Sequence, residues 1–310
     1  MRTKKKPDEP KRLEGVLVAA VTPRRAQEHS IDLAATLEMI DFLGDSGVNG
    51  IALLGSTGEF VHFALDDRRH MLNFAARRSH VPLLVNVSHS TLDGAIELAR
   101  SAAGAGVAGV LLMPPYYFRH TQDSIRSFYL NFADAVDETT PIYLYNIPAC
   151  TNEIAPATVT ELLASGRFAG IKDSSGSMEY FNVLCAEAQR TPFTLFAGHE
   201  RIYVECKRAG ADGIVSGAAS AIPELMVALD RAFDTGVEAN VGRFEKYVME
   251  FLDRVEVLPW PVTLKEAARL RGVKTGAFAA PPGEEGERKL AEFADWFGNW
   301  WPGVLKECAK

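Results

Sequence analysis

One lysine of the 310-residue chain occupies a position where a charged side chain is costly. Lys172 follows the apolar residues 169–171, at the end of a short segment whose composition is typical of a buried β-strand. Burial favours the neutral amine over the ammonium, and a neutral lysine amine attacks carbonyl groups. A Schiff base formed in this way with a 2-oxo acid would make a C3 carbanion or enamine accessible. Lys172 is therefore a candidate nucleophile for carbon–carbon bond chemistry.

Two neighbours decide how Lys172 is interpreted. Asp173 offers a structural alternative, an ion pair, but consecutive residues of a strand point to opposite faces, so this pairing is poor. Tyr145 lies near the end of the preceding apolar segment, and adjacent strands are about 4.8 Å apart, so its phenol is a candidate proton shuttle for an imine on Lys172. A tyrosine that only hydrogen-bonds a carbonyl remains the alternative.

Small polar residues follow another apolar segment. The GSTG sequence at residues 55–58 places backbone N–H groups and the hydroxyls of Ser56 and Thr57 at a strand end, which suits a carboxylate. An ordinary strand-to-helix turn, with Ser and Thr as caps, has the same composition. Gly198 and residues 216–220 follow two later segments and indicate either a phosphate cradle or room for the substrate.

Spacing argues against several other chemistries. The histidines form no HxH or HExxH pattern and the four cysteines form no CxxC pattern, so we predict no metal and no cofactor, with reduced thiols. A divalent-metal aldolase stays an alternative, because barrel ligands can come from separate strands. Cys150 has no histidine located beside it, which favours pocket lining over a nucleophile.

The composition of the chain limits the kinds of partner that it can bind and indicates the cell compartment in which it works. A net charge of −7 argues against nucleic acid or anionic membrane as the main partner and favours small molecules. No apolar run approaches the roughly 20 residues of a transmembrane helix, and the N-terminus lacks the apolar core of a secretory signal, so we expect a cytoplasmic protein. Residues 1–14 are predicted to be a disordered, solvated basic tail.

The elements that must position these residues alternate along the chain. Short apolar segments, hydrophobic throughout as in strands covered on both faces, occur at residues 16–21, 50–54, 82–87, 109–113, 141–145, 168–172, 193–197 and 213–216. Helical periodicity lies between them, with candidate N-caps at Asp32 and Thr91.

Eight such units predict a (β/α)8 TIM barrel over residues 15–236, whose chemistry collects at the C-terminal ends of its strands. A doubly wound sheet would be expected to carry GxGxxG after its first strand, and VTPR stands there instead. Further helical patterns at residues 241–257, 262–270 and 284–297 predict a C-terminal helical extension over residues 237–310.

Five motifs in order carry a resemblance: GSTGE at 55–59, PYY at 115–117, YNIPA at 145–149, GIKD at 170–173 and ADG at 211–213. From about residue 15 to 297 the chain resembles the dihydrodipicolinate synthase and N-acetylneuraminate lyase family of class I aldolases. The resemblance implies a pyruvate Schiff base on Lys172, Tyr145 as acid and base, Ser56 as proton relay, and Thr57 with the turn amides holding the 2-oxo acid carboxylate. It also implies a homotetramer in which Tyr117 reaches a neighbouring subunit's site. The candidate substrate-binding residues are Thr57, Gly58, Ser174, Gly198, Val215, Ser216 and Cys150.

Departures from the family pattern bear on the substrate. Dihydrodipicolinate synthases typically carry an arginine where this chain has Cys150, to hold the aldehyde's carboxylate. Sialate lyases tend to show an acidic pair where this chain has Glu200 and Arg201. The motifs look closer to aldolases of 2-keto-3-deoxy sugar acids or 4-hydroxy-2-oxoglutarate. The alternatives are 4-hydroxy-tetrahydrodipicolinate synthase, N-acetylneuraminate lyase and a non-catalytic barrel used for sensing or assembly.

Overall fold

Eight parallel strands close into a barrel in the computed structural model, which describes residues 12–28 and 30–309. Each strand pairs with the next along the chain, and the last pairs with the first. The strands are Gly15–Ala19 (β1), Gly50–Leu53 (β2), Leu83–Asn86 (β3), Gly109–Leu112 (β4), Ile142–Asn146 (β5), Gly170–Asp173 (β6), Thr194–Ala197 (β7) and Gly213–Ser216 (β8).

Every residue of these strands is buried, because the barrel interior covers one face and the helices cover the other. This burial explains why the strand sequences are hydrophobic throughout rather than alternating. The predicted (β/α)8 barrel is confirmed, and each of the eight predicted segments overlaps one strand.

Helices follow the strands and surround the barrel. They are Leu33–Asp45 (α1), Leu65–Arg78 (α2), Leu92–Ala105 (α3), Gln122–Ala135 (α4), Pro156–Ala164 (α5), Met178–Arg190 (α6), Tyr203–Ala209 (α7), Pro223–Thr235 (α8), Glu238–Val255 (α9), Val262–Leu270 (α10) and Gly283–Cys308 (α11). The predicted caps are confirmed, since the side chain of Asp32 accepts from the Ala35 amide and that of Thr91 from the Gly94 amide. In the part of the chain that the structure covers, no helix has the length and apolar content needed to cross a membrane.

The C-terminal extension consists of α9, α10 and α11, and its last helix is longer than predicted. The sequence pattern ends at residue 297, whereas α11 continues through Pro302 to Cys308. Pro302 removes one helical hydrogen bond, but the buried face continues with Phe297, Trp301 and Val304 at helical spacing. Packing of this face therefore holds the helix together beyond the proline.

Most of the predicted basic tail, residues 1–14, lies outside the described residues. Two of its last three residues, Arg12 and Leu13, contact the folded part of the chain. Arg12 forms an ion pair with Asp212 at 2.6 Å, and Leu13 is buried against the barrel. An apolar side chain and a nearby carboxylate thus bind this end of the tail to the bottom of the barrel.

Candidate active site

Lys172, Tyr145 and Ser56 form a hydrogen-bonded chain at the C-terminal ends of their strands. The pairing of β5 with β6 places Tyr145 directly opposite Lys172. The Lys172 Nζ donates to the Tyr145 hydroxyl at 3.2 Å, and that hydroxyl lies 3.1 Å from the Ser56 Oγ. Lys172 is 4% exposed and Tyr145 is 1% exposed. The arrangement offers a short path for a proton between the amine and two hydroxyl groups.

Asp173 does not pair with Lys172, because it points to the opposite face of β6. Its carboxylate accepts hydrogen bonds from the Asn146 Nδ2 at 2.7 Å and from the Ser175 Oγ at 2.8 Å. Burial raises the pKa of Asp173, and the hydrogen bonds from Asn146 and Ser175 oppose that rise. The ion-pair alternative for Lys172 is therefore not observed.

Gly198 packs against the side chain of Lys172. A Cβ at this position would lie 2.8 Å from the Lys172 Cε and would overlap the Ser174 Oγ. The Ser174 hydroxyl in turn donates to the Gly198 carbonyl at 3.1 Å. Both residues, predicted to bind substrate, thus lie beside the candidate nucleophile, and Gly198 leaves the space that the lysine side chain fills.

The loop after β8 does not form a phosphate cradle. The carboxylate of Glu200 accepts from the Ser216 Oγ at 2.7 Å and from the Ala218 amide at 2.9 Å. An anion of the protein itself therefore uses the donors that a phosphate would need. Val215 and Ser216, predicted as substrate-binding residues, are buried in β8, and the Ser216 hydroxyl donates to Glu200.

The turn after β2 is held by residues of the C-terminal extension. The indole Nε1 of Trp260 donates to the Thr57 Oγ1 at 3.1 Å. Glu59, at a positive φ of 53°, forms a buried ion pair of 2.9 Å with Lys265 of α10. Gly58 is closely packed, since a Cβ there would lie 3.0 Å from the Thr22 Oγ1.

Sequence reasoning missed Trp260 and Lys265. They lie about 200 residues from the turn that they contact, and no local pattern connects them to it. Trp260 stands between the predicted helical patterns at residues 241–257 and 262–270, where the sequence indicates only a connection. Only the tertiary fold brings the segment that contains Trp260 to the mouth of the barrel.

A cavity of about 410 Å³ opens above Ser56. Its described lining residues include no lysine and no arginine: they are Ser56, Glu59, Phe60, Val61, His62, Met113, Tyr116, Cys150, Trp260 and Pro261. Cys150 is exposed at its edge and also lines a smaller hollow of about 190 Å³, which contains Arg119.

Tyr117 does not line the cavity above Ser56, but it lines the smaller hollow together with Cys150 and Arg119. It is 90% exposed, has a φ of 81° and contacts Phe118 edge to face, with ring centroids 4.9 Å apart. Tyr116 is half-buried instead, and packs against Phe60 at 5.8 Å. The two tyrosines of the PYY motif therefore differ in exposure, and the exposed one is Tyr117.

Arg201 lies after the C-terminal end of β7 and forms ion pairs with residues at the end of α9. Its guanidinium forms ion pairs with Asp253 at 2.9 Å and with Glu256 at 2.6 Å. Binding to a substrate carboxylate would require these contacts to break.

Comparisons with known proteins agree on one family. The model of the dihydrodipicolinate synthetase family matches residues 12–296. The 4-hydroxy-tetrahydrodipicolinate synthase of Methanosphaerula palustris is 29% identical over 286 residues, which cover 91% of this chain and 97% of that relative.

Two solved structures are similar over most of their length. YagE, a prophage protein of the dihydrodipicolinic acid synthase family from E. coli K12 in complex with pyruvate, has a TM-score of 0.84 at 26% identity, covering 92% of this chain and 98% of its own. The 2-keto 3-deoxygluconate aldolase from Picrophilus torridus has a TM-score of 0.80 at 27% identity, covering 87% of this chain and 96% of its own.

Proposed function

Because the chain belongs to the dihydrodipicolinate synthetase family of pyruvate-dependent class I lyases, we propose that it makes or breaks a carbon–carbon bond between pyruvate and an aldehyde through a Schiff base on Lys172. The observation that carries this proposal is the buried Lys172 Nζ, 3.2 Å from the hydroxyl of Tyr145. A buried amine beside a hydroxyl group has the nucleophile and the proton carrier that imine formation needs.

The proposed reaction assigns a step to each side chain. Lys172 attacks the C2 carbonyl of the 2-oxo acid, and loss of water gives the iminium ion. Tyr145, left as a phenolate after it protonates the departing water, takes up a C3 proton to give the enamine. The enamine adds to the aldehyde carbon, and the resulting alkoxide takes that proton back from Tyr145. Ser56 relays that proton, and water then hydrolyses the iminium ion and frees Lys172. Cleavage follows the same steps in reverse.

The 2-oxo acid carboxylate is assigned to the turn after β2. The Thr57 hydroxyl and the backbone N–H groups near Gly58 supply donors without a charge, as suits a small anion at a strand end. The family relative YagE was crystallised in complex with pyruvate, which supports a ligand of this size.

For the aldehyde partner we propose an uncharged hydroxy-aldehyde, so that the full substrate is a 2-keto-3-deoxy sugar acid or a related 4-hydroxy-2-oxo acid. The cavity above Ser56 supports this choice, because its described lining residues include no lysine or arginine. The similar Picrophilus torridus protein is a 2-keto 3-deoxygluconate aldolase. Arg119, in the hollow next to Cys150, keeps 4-hydroxy-tetrahydrodipicolinate synthase as the second candidate, since a cation there is near the place where the aldehyde would enter.

A panel assay tests the substrate assignment. Pyruvate release is measured from 2-keto-3-deoxygluconate, 4-hydroxy-2-oxoglutarate and N-acetylneuraminate, and condensation is measured from pyruvate with glyceraldehyde or aspartate semialdehyde. We expect turnover of the sugar acid and of glyceraldehyde. A higher kcat/KM with aspartate semialdehyde than with glyceraldehyde would favour the synthase instead.

We also propose that the protein is a homotetramer in which Tyr117 completes a neighbouring subunit's site. The exposed rings of Tyr117 and Phe118 form an apolar surface next to the barrel mouth, which is unusual for a monomer. Light scattering is expected to give the mass of four chains. A monomer with full activity would contradict the proposed role of Tyr117.

A further inference from the structure

Trp260 connects the C-terminal extension to the mouth of the barrel. It lies in the loop between α9 and α10, is 39% exposed and lines the cavity above Ser56. Its indole Nε1 is 3.1 Å from the Thr57 Oγ1.

The direction of the hydrogen bond between Trp260 and Thr57 is fixed by chemistry. An indole N–H can only donate, so the Thr57 oxygen accepts and its own proton is left to donate elsewhere. An ionised carboxylate can only accept. With the indole in place, the Thr57 hydroxyl therefore has the polarity that a bound carboxylate requires.

The surrounding packing holds the indole and the hydroxyl together. A Cβ at Gly217, in the loop after β8, would overlap the indole ring of Trp260 and lie 3.0 Å from the Thr57 Oγ1. The buried ion pair between Glu59 and Lys265 connects the same turn to α10, which begins two residues after Trp260. Three segments distant in the sequence thus meet at one hydroxyl group.

We propose that Trp260 is a positioning residue, which orients the Thr57 hydroxyl so that it donates to the carboxylate of the bound 2-oxo acid. This inference rests on the proposed function, in which Thr57 contacts that carboxylate. Trp260 acts through Thr57, so its removal weakens binding of the 2-oxo acid and leaves the chemistry at Lys172 intact.

Trp260→Phe tests the proposal, because it removes the N–H and keeps an aromatic ring. Pyruvate is titrated in the presence of borohydride, and the fraction of protein with a reduced adduct is measured by mass spectrometry. The pyruvate concentration at half-maximal trapping is expected to rise about five- to tenfold, while trapping at saturation stays as in the parent. The matched control is Trp300→Phe, which loses an indole hydrogen bond to Glu250 at 3.0 Å within the extension and is expected to titrate like the parent.

A double-variant comparison distinguishes an effect of Trp260 on the Thr57 hydroxyl from an effect on the shape of the cavity. In a Thr57→Val background, Trp260→Phe is expected to change the half-saturating concentration less than twofold, because the hydroxyl that it orients is gone. An equal rise in both backgrounds, or no rise in the single variant, would overturn the inference. If Trp260→Phe does not fold, 3-benzothienylalanine at the same position keeps the ring shape without the N–H. A parent protein that is not trapped at all would instead contradict the proposed function.

Discussion

Cys150→Arg should move the specificity of the enzyme toward an aldehyde that carries a carboxylate. Cys150 lies at the junction of the cavity above Ser56 and the smaller hollow. The resemblance to dihydrodipicolinate synthases predicts a substrate-binding arginine at this position. The smaller hollow, about 190 Å³, gives the longer side chain room next to the entering aldehyde. No backbone change is needed, because Cys150 is exposed at the edge of both cavities.

The expected size of the effect follows from the exposure of this position. A charge-assisted hydrogen bond to a carboxylate contributes about 1.5–3 kcal/mol when both groups are shielded from water. Water at the exposed position of Cys150 screens the charge, so the lower end applies. A gain of about 1.4 kcal/mol corresponds to about a tenfold rise in kcat/KM.

The assay compares two condensations with pyruvate, one using aspartate semialdehyde and the other glyceraldehyde. In Cys150→Arg the ratio of the two kcat/KM values should rise about tenfold in favour of aspartate semialdehyde. The control Cys150→Gln has a similar polar chain without the charge and should leave the ratio within about twofold of the parent. Arg201→Ala should also leave it unchanged, because that guanidinium binds Asp253 and Glu256.

Two results would refute this reasoning. The first is a parent that condenses aspartate semialdehyde more efficiently than glyceraldehyde. The second is an equal gain in Cys150→Gln. If the parent condenses aspartate semialdehyde efficiently and Arg119→Ala loses this activity, Arg119 in the smaller hollow is the residue that binds the carboxylate of the aldehyde.

Three further substitutions test the site and its support. Tyr145→Phe should keep the borohydride adduct but lose about 10²- to 10⁴-fold in kcat, measured by pyruvate release, because a positioned proton donor is removed; an unchanged kcat would exclude Tyr145 from the mechanism. Gly198→Ala should lower trapping with the fold intact by circular dichroism, because its Cβ would displace Lys172, and normal trapping would show that the lysine has other room. Lys265→Met should lower the free energy of unfolding by about 3–5 kcal/mol in urea titrations, since it leaves the Glu59 carboxylate buried without its cation, whereas a loss within 1 kcal/mol would mean that water replaces the pair.

The barrel was predictable because each strand is short and apolar on both faces, and each helix has its own local signals. Asp32 and Thr91 are caps that only their neighbours in sequence determine. The end of α11 was missed for a tertiary reason. Pro302 favours a stop in an isolated helix, and only the packing of Trp301 and Val304 shows why the helix continues.

In the candidate site too, contacts set by the strand repeat were predictable and contacts set by tertiary packing were not. Lys172 and Tyr145 were predicted to lie together because strand order and register follow from the repeat. Trp260 could not be predicted as a neighbour of Thr57, because their contact depends on where a distant loop lands on the barrel. The substrate-binding role of Ser216 stays a prediction, and its hydrogen bond to Glu200 depends on side-chain conformations that the sequence pattern does not specify.

The central claim is that Lys172 is the residue that forms the Schiff base. Borohydride reduction in the presence of pyruvate, followed by peptide mapping, tests it most directly, because an imine is reduced to a stable adduct and an ammonium ion is not. The account predicts a reduced pyruvyl adduct on Lys172 and none on Lys172→Arg. A parent protein without the adduct, or the same adduct on Lys172→Arg, would contradict it.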